Sequence, residues 1–170
     1  MTGEWAGKRI NLYGPSLRYQ AALLFSQKVL QSSDKWNEAL HAYGNLRQPD
    51  GTNYGWAAQM TDAMKKDPYS IGLFHYSENF SADLRVVSLA KNETGPYIEH
   101  TIENVQNRSY PLWLEQSFYA SVKPGTKMDP KVREFLLYVL SQEGQDAVQR
   151  DGKYLPLTAE VVREQLPKVK

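Results

Sequence analysis

Cysteine is absent from this chain of 170 residues, and its absence removes disulfides, thiol nucleophiles and zinc-thiolate sites together. It leaves the cellular compartment open. Long apolar runs are missing too, and no stretch approaches the roughly 20 apolar residues that cross a bilayer. The first residues, "MTGEWAGKRI", lack the apolar core of a signal peptide. The expectation is therefore a cytoplasmic protein or a chain whose native leader is missing. Charge of one sign is not in excess: 20 basic residues face 19 acidic ones, for a net charge of +1. That balance lacks the basic footprint of a nucleic-acid binder, and no nucleic-acid partner is expected. Histidine is scarce. His41, His75 and His100 stand in no H-E-x-x-H or other metal-ligand spacing, so no metal and no cofactor is expected. His75 lies in an apolar run and reads as structural. Neither a G-x-S-x-G elbow nor a phosphate-cradling G-x-x-x-x-G-K-[ST] occurs. Carboxylates are scattered over helix starts and solvated faces. With no nucleophile, base or acid pair in view, the chain is not expected to be an enzyme.

What is present is ordinary soluble material, 41% hydrophobic and 23% charged, in a length that supports a sizeable core. Eleven tyrosines and four tryptophans are generous. Such rings can line sugar or peptide sites but more often fill cores and rims. "KRINLYG" alternates and ends at Gly14, which predicts a strand. Ser16 then offers an N-cap to a helix reaching about Leu30, with Leu17, Ala21, Leu24, Phe25 and Val29 on one stripe. "ALHAYGN" reads as a short strand. "RQPDGTNYG" is a loop, and a helix is expected from Thr52 or Asn53, with Trp56, Ala57, Met60, Ala63 and Met64 inward and a stop at Asp67-Pro68. Strands are expected over Ser70–Tyr76, Leu84–Ala90 and Leu112–Val122, the last with only one carboxylate, Glu115. "HTIENVQN" reads as a short helix or turn. Asp129-Pro130, Ser141 and Thr158 each announce a helix, the second ending at Asp151-Gly152. Alternating strands and helices predict an α/β layer.

Two loops stand out as ligand sites. "YGPSLRY" joins a strand to a helix start, where unpaired backbone N–H groups and the helix dipole attract anions. Ser16, Arg18 and Tyr19 lie there, although Ser16 also reads as a plain cap and Arg18 as a solvated side chain. "PDGTNYG" is the other, with Gly51, Thr52 and Asn53 able to present donors or to serve as ordinary turn residues.

The ordered pieces "GKRINLYG", "DPYSIGLFHYS", "YPL", "DPKVREFL", "VLSQEGQ" and "DGKYLPL" resemble the later part of the periplasmic phosphate-binding proteins of ABC importers, from about Trp5 to Leu157. The resemblance implies a type II periplasmic-binding-protein-like α/β fold: a mixed sheet flanked by helices, then a crossover strand and C-terminal helices. Residues 5–95 would form a second-lobe-like unit, and residues 96–170 would return toward the first lobe. It also implies a small-molecule anion such as phosphate as ligand, an ABC permease or a separate N-terminal lobe as partner, and a periplasmic or extracytoplasmic location with the native signal peptide absent from this chain. One departure is visible. Where the family has arginine and then Ser-Gly-Thr, this chain has Pro15 and Tyr19-Gln20-Ala21. The alternative to transport is a structural or interaction domain on the same fold. Broad apolar helix faces such as that over Asp129–Leu140 further predict self-association, as a homodimer or by swapping of the C-terminal segment.

Overall fold

The computed structural model describes residue 3, residues 5–75 and residues 83–169. The chain divides into two compact units, Met1–Arg85 and Val86–Lys170.

The first unit is built on a parallel sheet of three strands: β1 (Asn11–Pro15), β2 (His41–Tyr43) and β5 (Ser70–Gly72), in the order β2-β1-β5. Tyr13 pairs with His41 on one side and with Gly72 on the other. Helix α1 (Gln20–Lys28) links β1 to β2, and α2 (Trp56–Met64) precedes β5. The connection from β1 to β2 and the connection from β2 across β1 to β5 run in opposite lateral directions, so right-handed crossovers put α1 and α2 on opposite faces. Neighbours in register share a face, so Tyr13, His41 and Gly72 lie under α2. Gly72 is needed there: a Cβ would fall 2.5 Å from Met64 Sδ. Trp56, Gln59 and Met60, spaced one helical turn apart, are the buried face of α2, and Met60 is fully enclosed. Asp67 locks the return to β5. Its Oδ2 accepts from Asn11 Nδ2 at 2.8 Å and from the Tyr13 hydroxyl at 3.0 Å, and its Oδ1 accepts from the Tyr69 N–H at 3.0 Å.

The expected strand, helix, strand, helix, strand order is present, with shifted bounds. Helix α1 starts at Gln20, not at Ser16, because Ser16 is tied into a turn: its N–H donates to Tyr43 O and its C=O accepts from Tyr19 N–H. Helix α2 starts at Trp56, not at Thr52 or Asn53. Residues there form a hairpin of β3 (Leu46–Arg47) and β4 (Asn53–Tyr54) in antiparallel pairing. The strand expected over Ser70–Tyr76 ends at Gly72, and Tyr76 lies outside the described residues.

In the second unit, the strand expected over Leu84–Ala90 is reduced to one antiparallel bridge, Leu89 with Ile98. Tyr110 is buried beside it, donating its hydroxyl to Val87 O at 3.2 Å. Helix α3 (Ile102–Gln106) is capped by Thr101, whose Oγ1 accepts from Asn104 N–H. The run Leu112–Val122, expected as a long crossover strand, forms no ladder among the described residues, since no strand lies beside it. Three helices follow, α4 (Pro130–Val139), α5 (Gln142–Asp151) and α6 (Ala159–Val169), with α4 packed on both others. The caps are the expected ones. Asp129 accepts from Lys131 and Val132 N–H, Ser141 accepts from Gly144 N–H, and Thr158 Oγ1 accepts from Val161 N–H. Helix α5 ends on left-handed Gly152, at φ 68°. Gln145 ties the unit together. Its Nε2 donates to Val139 O and its Oε1 accepts from Leu157 N–H, both at 2.6 Å, while Gln106 Nε2 donates to Pro156 O at 3.0 Å.

Candidate functional site

In open α/β sheets ligands collect outside the carboxyl ends of the strands. Here that edge is formed where β1 leaves through Pro15-Ser16, β2 through Gly44-Asn45 and β5 through Leu73-Phe74-His75. Ser16 N–H donates to Tyr43 O at 2.7 Å, which fastens the first two exits together. Tyr19 is the N-cap residue of α1, and its side chain makes no capping bond. Its hydroxyl instead accepts from Asn45 N–H at 3.1 Å, and its ring lies 5.9 Å from that of Trp56. Asn45 Oδ1 accepts from Trp56 N–H at 3.0 Å, so a side chain from the end of β2 satisfies the first N–H of α2. Gln59 Nε2 donates to Gly44 O at 2.7 Å and to Tyr54 O at 2.8 Å, which fixes both arms of the intervening loop to α2. Phe74 stacks on Trp56 at 6.4 Å, and His75 meets it edge-on at 5.8 Å. Burial holds the His75 imidazole below its usual pKa. The result is an aromatic rim where two helices begin.

The residues expected at a site divide here. Ser16, Arg18 and Tyr19 all lie on this edge. Arg18 is exposed and makes no ion pair among the described residues. Gly51, Thr52 and Asn53 are exposed in the hairpin, Gly51 and Thr52 ahead of β4 and Asn53 at its start. Gly51 holds φ +84° at the tip, a conformation that favours glycine. Thr52 donates both its N–H and its hydroxyl to Asp50 Oδ1, at 2.9 and 2.7 Å, and these bonds hold the Asp50 carboxyl below its usual range. No hydrogen bond or ring contact among the described residues joins the hairpin trio to Ser16, Arg18 or Tyr19. Sequence reasoning missed Asn45 and Gln59, and it took Trp56 for core alone. The dipeptide Gly44-Asn45 just past a predicted strand was the available signal.

The three histidines pack on rings: His41 on Tyr13, His75 on Trp56 and His100 on Tyr110. Among the described residues no group of three or more His, Cys, Asp or Glu could hold a metal ion. No described helix is long and apolar enough to cross a membrane.

A parallel α/β sheet with helices starting at its carboxyl edge, followed by a tail of capped helices, is a periplasmic-binding-protein-like fold. The chain is similar to the phosphate-binding protein PstS of Pseudomonas aeruginosa, in strains PAO1 and UCBPP-PA14, at 27% identity over 164 residues. The match takes in 96% of this chain and 46% of each relative, so the chain spans about half the length of the curated relatives it matches. No family model matches it. The chain thus resembles the C-terminal portion of those proteins.

Proposed function

We propose that this domain takes a phosphate-like oxyanion at the carboxyl edge of its sheet and serves an ABC importer outside the cytoplasm. One observation carries the reading: 96% of the chain aligns at 27% identity with proteins named for phosphate binding. The edge has fitting chemistry. Arg18 brings a guanidinium, Ser16 a hydroxyl and the start of α1 its dipole. Tyr19 accepts from Asn45 and keeps its own O–H to donate. The hairpin trio takes a lesser part, because the Thr52 donors are spent on a carboxylate. A tight oxyanion site converges most of its donors on the ligand, and this edge offers few. On this reading residues 5–95 act as the second lobe of a clamshell and residues 96–170 belong with the first lobe, which completes the site.

A second reading is favoured by Tyr19-Gln20-Ala21 in place of Ser-Gly-Thr. It makes the domain a structural or interaction module without transport. Isothermal titration with phosphate and a small panel of oxyanions separates the two. The first reading expects weak phosphate heats that vanish in Arg18→Ala. Silence across the panel, with circular dichroism confirming folded protein, leaves the second.

A further inference from the structure

Four aromatic side chains from three segments meet at the carboxyl edge of the parallel sheet. Trp56, the first residue of α2, is the anchor and is 9% exposed. Tyr19, just ahead of α1, stands against it with ring centroids 5.9 Å apart and planes tilted by 38°. Phe74 and His75, just past β5, complete the set: Phe74 stacks at 6.4 Å and 28°, and His75 meets the anchor edge-on at 5.8 Å and 72°. Each of the three rings is thus pinned on Trp56, and Tyr19 is held a second time by the bond from Asn45 N–H to its hydroxyl. Tyr19 and Phe74 are half-buried and His75 is exposed, so ring surface remains at the edge. Rings fixed in this way give up little side-chain freedom when a further group packs on them.

The rings border the polar groups of the same edge, since Ser16 and Arg18 lie within three residues of Tyr19. A bare oxyanion and an aromatic cluster suit one another poorly. The face of a ring carries the negative part of its quadrupole and attracts cations and planar apolar groups, not anions. Inorganic phosphate would use the guanidinium and the hydroxyl and leave the rings unengaged. An oxyanion that carries a planar apolar group would use both. Burial favours the neutral form of His75, which leaves it an uncharged ring for such a group.

We infer that the ligand of this edge is a phosphate monoester of a planar apolar group, with its phosphate on Arg18 and Ser16 and its organic group on Tyr19 and His75, an assignment that rests on the oxyanion reading above and narrows its ligand class. Isothermal titration of the full chain with phenyl phosphate, methyl phosphate and inorganic phosphate tests it. Phenyl phosphate should bind about tenfold tighter than either of the others, the worth of one stacked ring. Tyr19→Ala and His75→Ala should each cut that preference to about threefold or less. Tyr19→Phe keeps the ring and should keep the preference. Arg18→Ala should weaken all three ligands alike. Rings that serve packing alone would change the Tm of these variants and leave the three affinities in equal ratio. A wild-type chain that binds phenyl phosphate no better than methyl phosphate overturns the inference, and so does a preference that survives both ring removals. Phosphate bound without any phenyl preference sinks this inference and leaves the oxyanion reading standing. Silence toward all three ligands, with folded protein, sinks both.

Discussion

Gly144 is the third residue of α5, where a glycine ordinarily weakens a helix by about 1 kcal/mol relative to alanine. On that ground Gly144→Ala should stabilise the protein. The structure reverses the sign. A Cβ on Gly144 would lie 2.1 Å from the Tyr138 carbonyl oxygen, 3.0 Å from its carbon and 3.1 Å from Val139 Cα. All three are backbone atoms at the end of α4, so no side chain can swing aside. Ordinary contact requires the two helices to part by about 1 Å or more at their junction. That movement disturbs the Ser141 cap and the Gln145 bond to Val139 O, which both lie within this corner. Overpacking of this kind costs about 1–3 kcal/mol. Loss of the cap adds about 1 kcal/mol and improved helix propensity returns about the same. The expected net loss is about 2 kcal/mol, or roughly 10 °C in Tm for a unit of this size. Urea and thermal denaturation followed by far-UV circular dichroism would measure it. Gly72→Ala is the internal comparison, since its clashes are with side-chain atoms of Met64 and Phe74 and not with backbone, and it should cost less. Gly44→Ala meets nothing within 4 Å and should be near neutral. A Gly144→Ala variant as stable as its parent would refute the close approach of α4 and α5.

Ser141→Ala should cost about 1 kcal/mol through the lost bond to Gly144 N–H, and Ser141→Asp should recover most of it in the same urea titration. Met60→Ala should lose about 2–5 kcal/mol because the side chain is wholly enclosed, whereas Met60→Leu should stay within about 1.5 kcal/mol. Asp67 is pH-sensitive in a definite direction. Hydrogen bonds from Asn11, the Tyr69 N–H and Tyr13 hold its carboxyl below the ordinary 3.8. Its contribution is therefore present above that value and disappears as pH falls through the lower folded one. Wild type should exceed Asp67→Asn in denaturation midpoint at pH 6, and the gap should close progressively below about pH 4.

The helical tail was legible because its signals are local. Asp129-Pro130, Ser141 and Thr158 each cap with their own side chain, and Gly152 stops α5 by its own conformation. None of these needs a distant partner. Strands do. Leu84–Ala90 and Leu112–Val122 have the composition of strands, but a ladder requires a neighbour, and apolar pattern cannot supply one. The start of α1 was misplaced for a related reason. Ser16 has the chemistry of a cap, yet its N–H is drawn to Tyr43, a contact across 27 positions of sequence. The hairpin escaped notice because strands of two residues show no period. At the candidate site, Tyr19 was visible as a residue near a helix start. Asn45 and Gln59 were not, since their bonds to Tyr19, Trp56 and Gly44 span 11 to 26 positions of sequence.

The hairpin bonds chiefly to itself at its tip, through Asp50, Thr52 and Gln48, so the Asp50-Gly51 turn offers a grafting point. An affinity peptide or environment-sensitive dye inserted there would leave the hydrogen bonding of the parallel sheet untouched. It would still be joined through Tyr54 and Gly55 to the helix that begins beside Tyr19. A group grafted there would thus report on the hairpin and on the start of α2.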